Sequence, residues 1–228
     1  MNKIITIIPI SSFNNSKIRL SPFLSENERT TLLKYMLKDI VSSIKDYVYD
    51  IIVTSKDEDV LNYARHLNLS VLKEQEHDDN FLNNSIVDAI TYISKNYDDY
   101  NVMILPADIP LISSKNIEYI LKNQDDFIIA PSKGGGTNLL YIKNEYEYPP
   151  LFGSFSFFKH VKEAKYIDLN VNIYDSFYLS LDVNTPEDLG EILLHGTDTY
   201  TCKYLSSLNI VVENNHGKER LYVYRKDE

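Results

Sequence analysis

Short aliphatic runs that alternate with helically spaced apolar residues restrict the folds open to this chain more than any other feature. The runs fall at about Lys3–Ile10, Asp50–Thr54, Leu69–Leu72, Asn101–Leu105 and Asp126–Ala130. Between the first two, Leu32, Leu33, Met36, Leu37, Ile40, Val41 and Ile44 recur at the spacing of one helix face. Ser25 with Glu28 forms a capping box that opens this helix, and Ser55 with Glu58 repeats the pattern before Leu61 and Ala64. Further helices are expected over about Leu82–Lys95 and Ser113–Lys122. Strands buried on both faces read as continuous apolar runs, and helices between them imply parallel βαβ units. With right-handed crossovers the expectation is one Rossmann-like α/β domain over residues 1–228, its mostly parallel sheet covered by helices on both faces. After Asn138–Ile142 the elements shorten, which predicts a small antiparallel cap. Thr185-Pro186 starts a later helix, with Thr as N-cap and Pro at the first helical position. The tail, about residues 198–228, reads as a hairpin built from Asn209–Val212 and Arg220–Tyr224 around Asn214-Asn215-His216-Gly217.

Charge and cysteine content narrow the function classes. The 228 residues hold 23 Lys+Arg against 33 Asp+Glu, a net charge of −10. That is the wrong sign for holding a nucleic-acid backbone. A small anionic substrate then needs a few local cations, or a metal ion, to reverse the field. Cys202 is the single cysteine, which excludes an intramolecular disulfide and a multi-cysteine zinc site. A reducing, cytoplasmic setting is expected. No apolar stretch approaches the roughly 18–20 residues that span a bilayer. The start, Met1 to Ile10, reads as a buried strand rather than a signal peptide.

Ligands of open α/β sheets bind outside the carboxyl ends of the strands, and four sequence features fall there. Lys17 and Arg19, in the loop after the first strand, can hold polyphosphate oxygens or form a solvated basic turn. No glycine lies between Pro9 and Lys17, so this is not a P-loop. Asp108, in Leu105-Pro106-Ala107-Asp108-Ile109-Pro110, is either a magnesium ligand or the cap of the helix near Ser113. Gly134-Gly135-Gly136-Thr137-Asn138 is either an anion nest of free N–H groups or a plain hairpin turn. The chain has only seven glycines, and this concentration favours the nest. Asp182 is a second carboxylate at a strand end, and Asp188 decorates the first helical turn.

The histidines carry less weight. His66, His77, His195 and His216 lack partners at metal-ligand spacing, and His160 is read as structural. Tyr146, Tyr148, Phe152, Phe155, Phe157 and Phe158 are expected in the core or at a dimer contact.

Taken in order, these pieces resemble the 2-phospho-L-lactate guanylyltransferase (CofC) family of coenzyme F-420 biosynthesis, within the GT-A-like nucleotidyltransferases. The resemblance runs from about Ile4 to Leu189. It rests on Ile8-Pro9-Ile10, Lys17-Ile18-Arg19-Leu20, Leu24 to Arg29, Leu82-Asn83 and Asp108-Ile109-Pro110. It rests further on Gly134 to Asn138, Phe152-Gly153-x-x-Ser156-Phe157-x-x-His160 and Asp182 to Leu189. The family usually has glycine where this chain has Phe155 and Phe81, and serine where it has Ile18.

The resemblance implies transfer of GMP from GTP to 2-phospho-L-lactate, with pyrophosphate released. It also implies magnesium and a homodimer. Lys17 and Arg19 match the triphosphate loop, Asp108 and Asp182 the metal-binding aspartates, and Thr137, Gly153 and Ser156 the positions that hold the phosphorylated acid. Pro9 and Asn83 fall in segments near the nucleoside. Phosphoenolpyruvate or 3-phosphoglycerate as acceptor, and a nucleotide-binding domain without turnover, remain open alternatives at this point.

Overall fold

The computed structural model describes residues 3–14, 16–123, 125–144, 147–213 and 221–226. Strand β1 (Lys3–Pro9) leads through a 3₁₀ turn at Ile18–Leu20 into helix α1 (Glu26–Ile44). Then follow β2 (Asp50–Ser55), α2 (Glu58–His66), β3 (Ser70–Lys73), α3 (Phe81–Asn96), β4 (Tyr100–Ile104), α4 (Ser114–Lys122) and β5 (Phe127–Pro131). The second half holds β6 (Thr137–Lys143), α5 (Ser156–Tyr166), β7 (Val171–Ile173), α6 (Phe177–Ser180), α7 (Pro186–His195), α8 (Tyr200–Ser207), β8 (Ile210–Glu213) and β9 (Tyr222–Arg225).

Seven strands form one sheet in the order β3-β2-β1-β4-β6-β5-β7, and β8 pairs with β9 in a separate hairpin. The pairs β1–β2, β1–β4, β2–β3 and β5–β7 are parallel, whereas β6 is antiparallel to both neighbours. Strict alternation divides β1 between two cores. Ile4 and Ile8 face one side, with α1, α2, α4, α7 and α8. Ile5 and Ile7 face the other, with α3 and α5.

Three expectations change. The antiparallel pairing after Asn138 is not a cap, because β6 inserts between β4 and β5 inside the sheet. Thr137 through Ile142 are buried there, a continuous pattern that only an internal strand needs. The capping box proposed from Ser55 shifts by two residues. Ser55 completes β2, and Asp57 caps α2 by accepting from the Asp59 amide at 2.9 Å. The tail expected as a hairpin also carries a helix, α8, ahead of it. Thr199 is its N-cap, accepting from Cys202 N at 3.0 Å, and Asp39 on α1 adds a cap from another element by accepting from Tyr200 N at 2.7 Å and Thr201 N at 2.8 Å. The hairpin itself forms as β8–β9, while its turn, Asn214 to Gly217, lies outside the described residues. The capping boxes at Ser25 and Thr185 form, with Asp188 as the third helical residue of α7.

Among the described residues, no helix is long and apolar enough to cross a membrane.

Candidate active site

The carboxyl ends of β1 and β4 open onto one cleft, and the loop after β1 forms its first wall. Ser12 Oγ donates to Asp57 Oδ2 at 2.7 Å and ties this loop to α2. Arg29 Nε donates to Ser16 O at 3.2 Å, and its Nη1 donates to Leu24 O at 2.8 Å, which braces the next turn. Lys17 holds φ 51° and ψ 39°, a left-handed backbone that costs a non-glycine residue energy and clusters at functional sites. That twist sends its Nζ inward, to an ion pair with Asp108 and a 3.3 Å hydrogen bond to Asn184 Oδ1. Arg19 is exposed on the same hollow, which has a volume of about 450 Å³ and shares Pro9, Pro106 and Asp108 with the next.

That second hollow, about 270 Å³, is lined by Asp108, Asp182, Thr137, Asn138, Gly153 and Ser156, among others. Asp108 does not cap α4, since Ser113 and Asn116 form that capping box themselves. Asp182 follows α6 in an extended segment rather than a sheet strand, and Val183 N donates to Asp108 O at 3.0 Å. The two aspartates are therefore neighbours. Burial pushes the Asp182 carboxyl above its ordinary range, and the negative charge of Asp108 adds to the rise. Asn184 Nδ2 donates to Asp182 Oδ2, and Asn138 Nδ2 donates to its Oδ1 at 3.4 Å.

This pair fits a dication. Asp108 Oδ1 is buried without a hydrogen-bond partner among the described residues, an orphaned acceptor beside a second carboxylate. No cluster of three or more His, Cys, Asp or Glu forms a metal site among them. Two carboxylates with phosphate oxygens as the remaining ligands are what magnesium ordinarily takes.

The glycine run forms a tight turn and not a nest of free N–H groups. Gly135 N donates to Ser132 O at 3.0 Å, and Gly136 N donates to Ser132 Oγ at 2.9 Å. Gly135 needs its φ of +78° for this turn, and a side chain there would crowd Phe155 at 3.1 Å. Phe157 N donates to Gly135 O at 3.2 Å, fastening α5 to the turn. Thr137 Oγ1 lies 3.0 Å from Ser156 Oγ and 3.0 Å from His160 Nδ1. His160 is fully buried, and its Nε2 accepts from Leu151 N at 2.9 Å. Burial pushes its pKa down to about 4, so the ring is neutral.

Asn83 is expected near the nucleoside, but its amide is occupied by the protein. It accepts from Phe152 N at 2.8 Å and donates to Phe152 O at 3.1 Å and Asn80 Oδ1 at 2.7 Å. Leu82 faces the cleft instead. Phe155 holds φ 51° and is exposed, as is Phe158, whereas Tyr148 is core. Tyr146 and His216 lie outside the described residues. His77 pairs with Asp88 at 2.8 Å, and His195 with Glu191 at 3.4 Å, both away from the cleft. Sequence alone assigns no separate role to Asn138 or Asn184. The signal for Asn184 is its place two residues past Asp182, which in an extended segment puts both side chains on one side.

Cations from one loop and carboxylates from two others, gathered at the rim of a mixed α/β sheet, define a nucleotidyltransferase framework. Solved structures agree on the fold. A protein from Desulfovibrio desulfuricans G20, provisionally assigned as a nucleotide-diphospho-sugar transferase, matches with TM-score 0.74 at 17% identity, covering 91% of this chain and 95% of that one. A nucleotidyl transferase from Methanothermobacter matches with TM-score 0.61 at 13% identity, covering 91% and 100%. Within that class, the family model "Guanylyl transferase CofC like" matches residues 4–226, and the chain belongs to this family. The 2-phospho-L-lactate guanylyltransferase of Methanosphaera stadtmanae is 79% identical over 228 residues, all of both chains. That of Methanobrevibacter smithii is 49% identical over 99% of each chain.

Proposed function

We infer that this chain is a 2-phospho-L-lactate guanylyltransferase. It joins GMP from GTP to the phosphate of 2-phospho-L-lactate and releases pyrophosphate, one step of coenzyme F-420 biosynthesis. Identity of 79% along the whole length of a relative with that activity carries the reading. The cleft chemistry supports it. A phosphate monoester has a second pKa near ~6 and is largely dianionic at neutral pH. Its oxygen can attack the α-phosphorus of GTP without a general base. This agrees with a site whose nearest histidine is buried, neutral and fully hydrogen-bonded.

The chemical difficulty is bringing anions together on a protein of net charge −10. Lys17 and Arg19 hold the triphosphate from the first hollow. Lys17 neutralises Asp108 before substrate arrives and turns to phosphate oxygens afterwards. Thr137, Gly153 and Ser156 hold the acid in the second hollow, next to both aspartates. Pro9 belongs to both hollows, where the nucleoside bridges them. Asn83 supports that region by fixing Phe152. Asp108 and Asp182 would hold magnesium, which would supply positive charge to the phosphates and the departing pyrophosphate. Positioning does the rest, as in phosphoryl transfer generally. A homodimer belongs to the same reading.

The test is mass spectrometry of the products formed from GTP, magnesium and a panel of 2-phospho-L-lactate, phosphoenolpyruvate and 3-phosphoglycerate. The diphosphate of lactate and guanosine is expected as the main product. A different acid turned over faster would reassign the acceptor, and no pyrophosphate with any acid would refute the reading. Asp108→Ala is expected to lower turnover by roughly 100-fold or more with its circular dichroism spectrum unchanged. Activity within a few-fold of the parent would remove Asp108 from the site.

A further inference from the structure

A hydroxyl pair can present a proton to a ligand only if its neighbours do not consume it. Thr137 and Ser156 both line the acid-binding hollow and are hydrogen-bonded to each other at 3.0 Å. One hydroxyl proton of the two is used in that mutual bond, which leaves a single proton to place. His160 decides where it goes. The amide of Leu151 can only donate, and it points at His160 Nε2 at 2.9 Å, so Nε2 carries no proton. A neutral imidazole then carries its one proton on Nδ1, and Nδ1 faces Thr137 Oγ1 at 3.0 Å. Thr137 must accept from the ring. Neither hydroxyl can send its proton that way, and the remaining proton turns to the hollow. In the opposite tautomer Nδ1 would accept from Thr137, Thr137 would accept from Ser156, and the hollow would face only lone pairs. An anionic oxygen would be repelled there.

We propose that His160 is a positioning residue that fixes the proton order of Thr137 and Ser156, so that the pair always offers one O–H donor to an anionic oxygen of the phosphorylated acid. The Leu151 amide is the other half of the device, because it selects the tautomer. His160 never touches substrate, being fully buried behind the two hydroxyls. The ring environment keeps it in place: Phe152 packs edge-on at 4.9 Å between centroids, and Tyr148 donates to His160 O at 2.9 Å. The inference rests on the reading that this hollow takes the acid.

Two measurements test it. In native protein labelled with ¹⁵N-histidine, long-range nitrogen–proton correlation spectra read the tautomer of each of the five histidines. For the buried ring the proton is expected on Nδ1, and finding it on Nε2 overturns the proposal without any variant. The second measurement compares His160→Asn, which keeps an N–H in the place of Nδ1, with His160→Asp, of the same shape but with a carboxylate acceptor there. The carboxylate draws the proton of Thr137, and loss of a donor to a charged oxygen raises KM for the acid by about tenfold or more in the Asp variant, with KM for GTP unchanged. The Asn variant stays within about threefold of the parent. In a Thr137→Val/Ser156→Ala background the Asp substitution has little further effect on that KM. Equal KM in the Asn and Asp variants, or an undiminished effect in that background, would mean that His160 does not set the proton order. Absence of turnover in the parent with every acid would instead refute the functional reading and leave the tautomer result standing.

Discussion

Two aspartates side by side in a half-buried cleft work against the fold that holds them. Burial and the charge of Asp108 raise the Asp182 carboxyl, which means its ionised form is disfavoured where it stands. Asp182→Asn removes that repulsion while keeping the shape. Its melting temperature in metal-free buffer is expected to rise by ~2–4 °C, the shift that about 1 kcal/mol gives in a domain of this size. Turnover is expected to fall by roughly 100-fold. A lower melting temperature would show that the hydrogen bonds from Asn184 and Asn138 outweigh the repulsion. The residue scale also explains a departure from the family pattern. Position 155 sits at φ 51°, where glycine is comfortable and phenylalanine is strained, so the usual glycine reflects backbone geometry. Here the Phe155 ring lies over Gly135.

At the scale of elements, α7 couples the site to the tail. Its N-terminus is the capping box of Thr185 and Asp188, and Asp188 also accepts from Asn184 N at 2.9 Å, directly behind the carboxylate pair. Its flank carries Gly190, against which the β8–β9 hairpin packs. A Cβ there would lie 2.8 Å from Val223 Cγ2 and 3.1 Å from Val212 Cγ2. Gly190→Leu is therefore expected to lower stability by about 1–3 kcal/mol through overpacking, read by urea denaturation. An unchanged midpoint would mean that the hairpin yields freely. Elements of this kind divide sharply in how far sequence reveals them. Helices α1 and α7 announce themselves by capping boxes and periodic apolar residues, both local signals. Helix α5 does not. Its start is an exposed, strained Phe155 without a capping side chain, and its buried face includes Ser156 and His160. The contacts that hold it are with Thr137 and Gly135, distant in sequence. The site divides likewise. Lys17, Asp108 and Asp182 were legible as charges at strand or turn ends. Asn184 and Asn138 acquire meaning only once Asp182 is beside them, and Asn83 shows its role only against Phe152.

For the molecule as a whole, stability is expected to fall with acid in a defined window. His160 has its pKa pushed down to about 4, below the ordinary 6.5. Above pH 6.5 neither folded nor unfolded chain protonates it. Between 6.5 and 4 the unfolded chain binds a proton that the folded chain refuses, and stability is lost at up to ~1.4 kcal/mol per pH unit. Glu28 and Asp57, held below their usual values in the fold, extend the loss at lower pH. Urea midpoints measured from pH 7 to 4.5 should decline, and more gently in His160→Asn. Equal slopes would remove His160 as the source.

The reversed direction of β6 has a consequence for how such proteins diverge. Because β5 and β6 form a hairpin, Ser132 and Thr137 sit on the two arms of one short bend, and the register slips between Ala130 and Pro131. The breadth of the recess between them is thus governed by loop length and offset more than by side-chain bulk. Gaining or losing a single residue in that bend would resize the recess in one event, leaving the distant cationic loop untouched. On the proposed reading of the two hollows, acceptor preference can then drift by insertion and deletion while the nucleotide half of the chemistry is inherited intact.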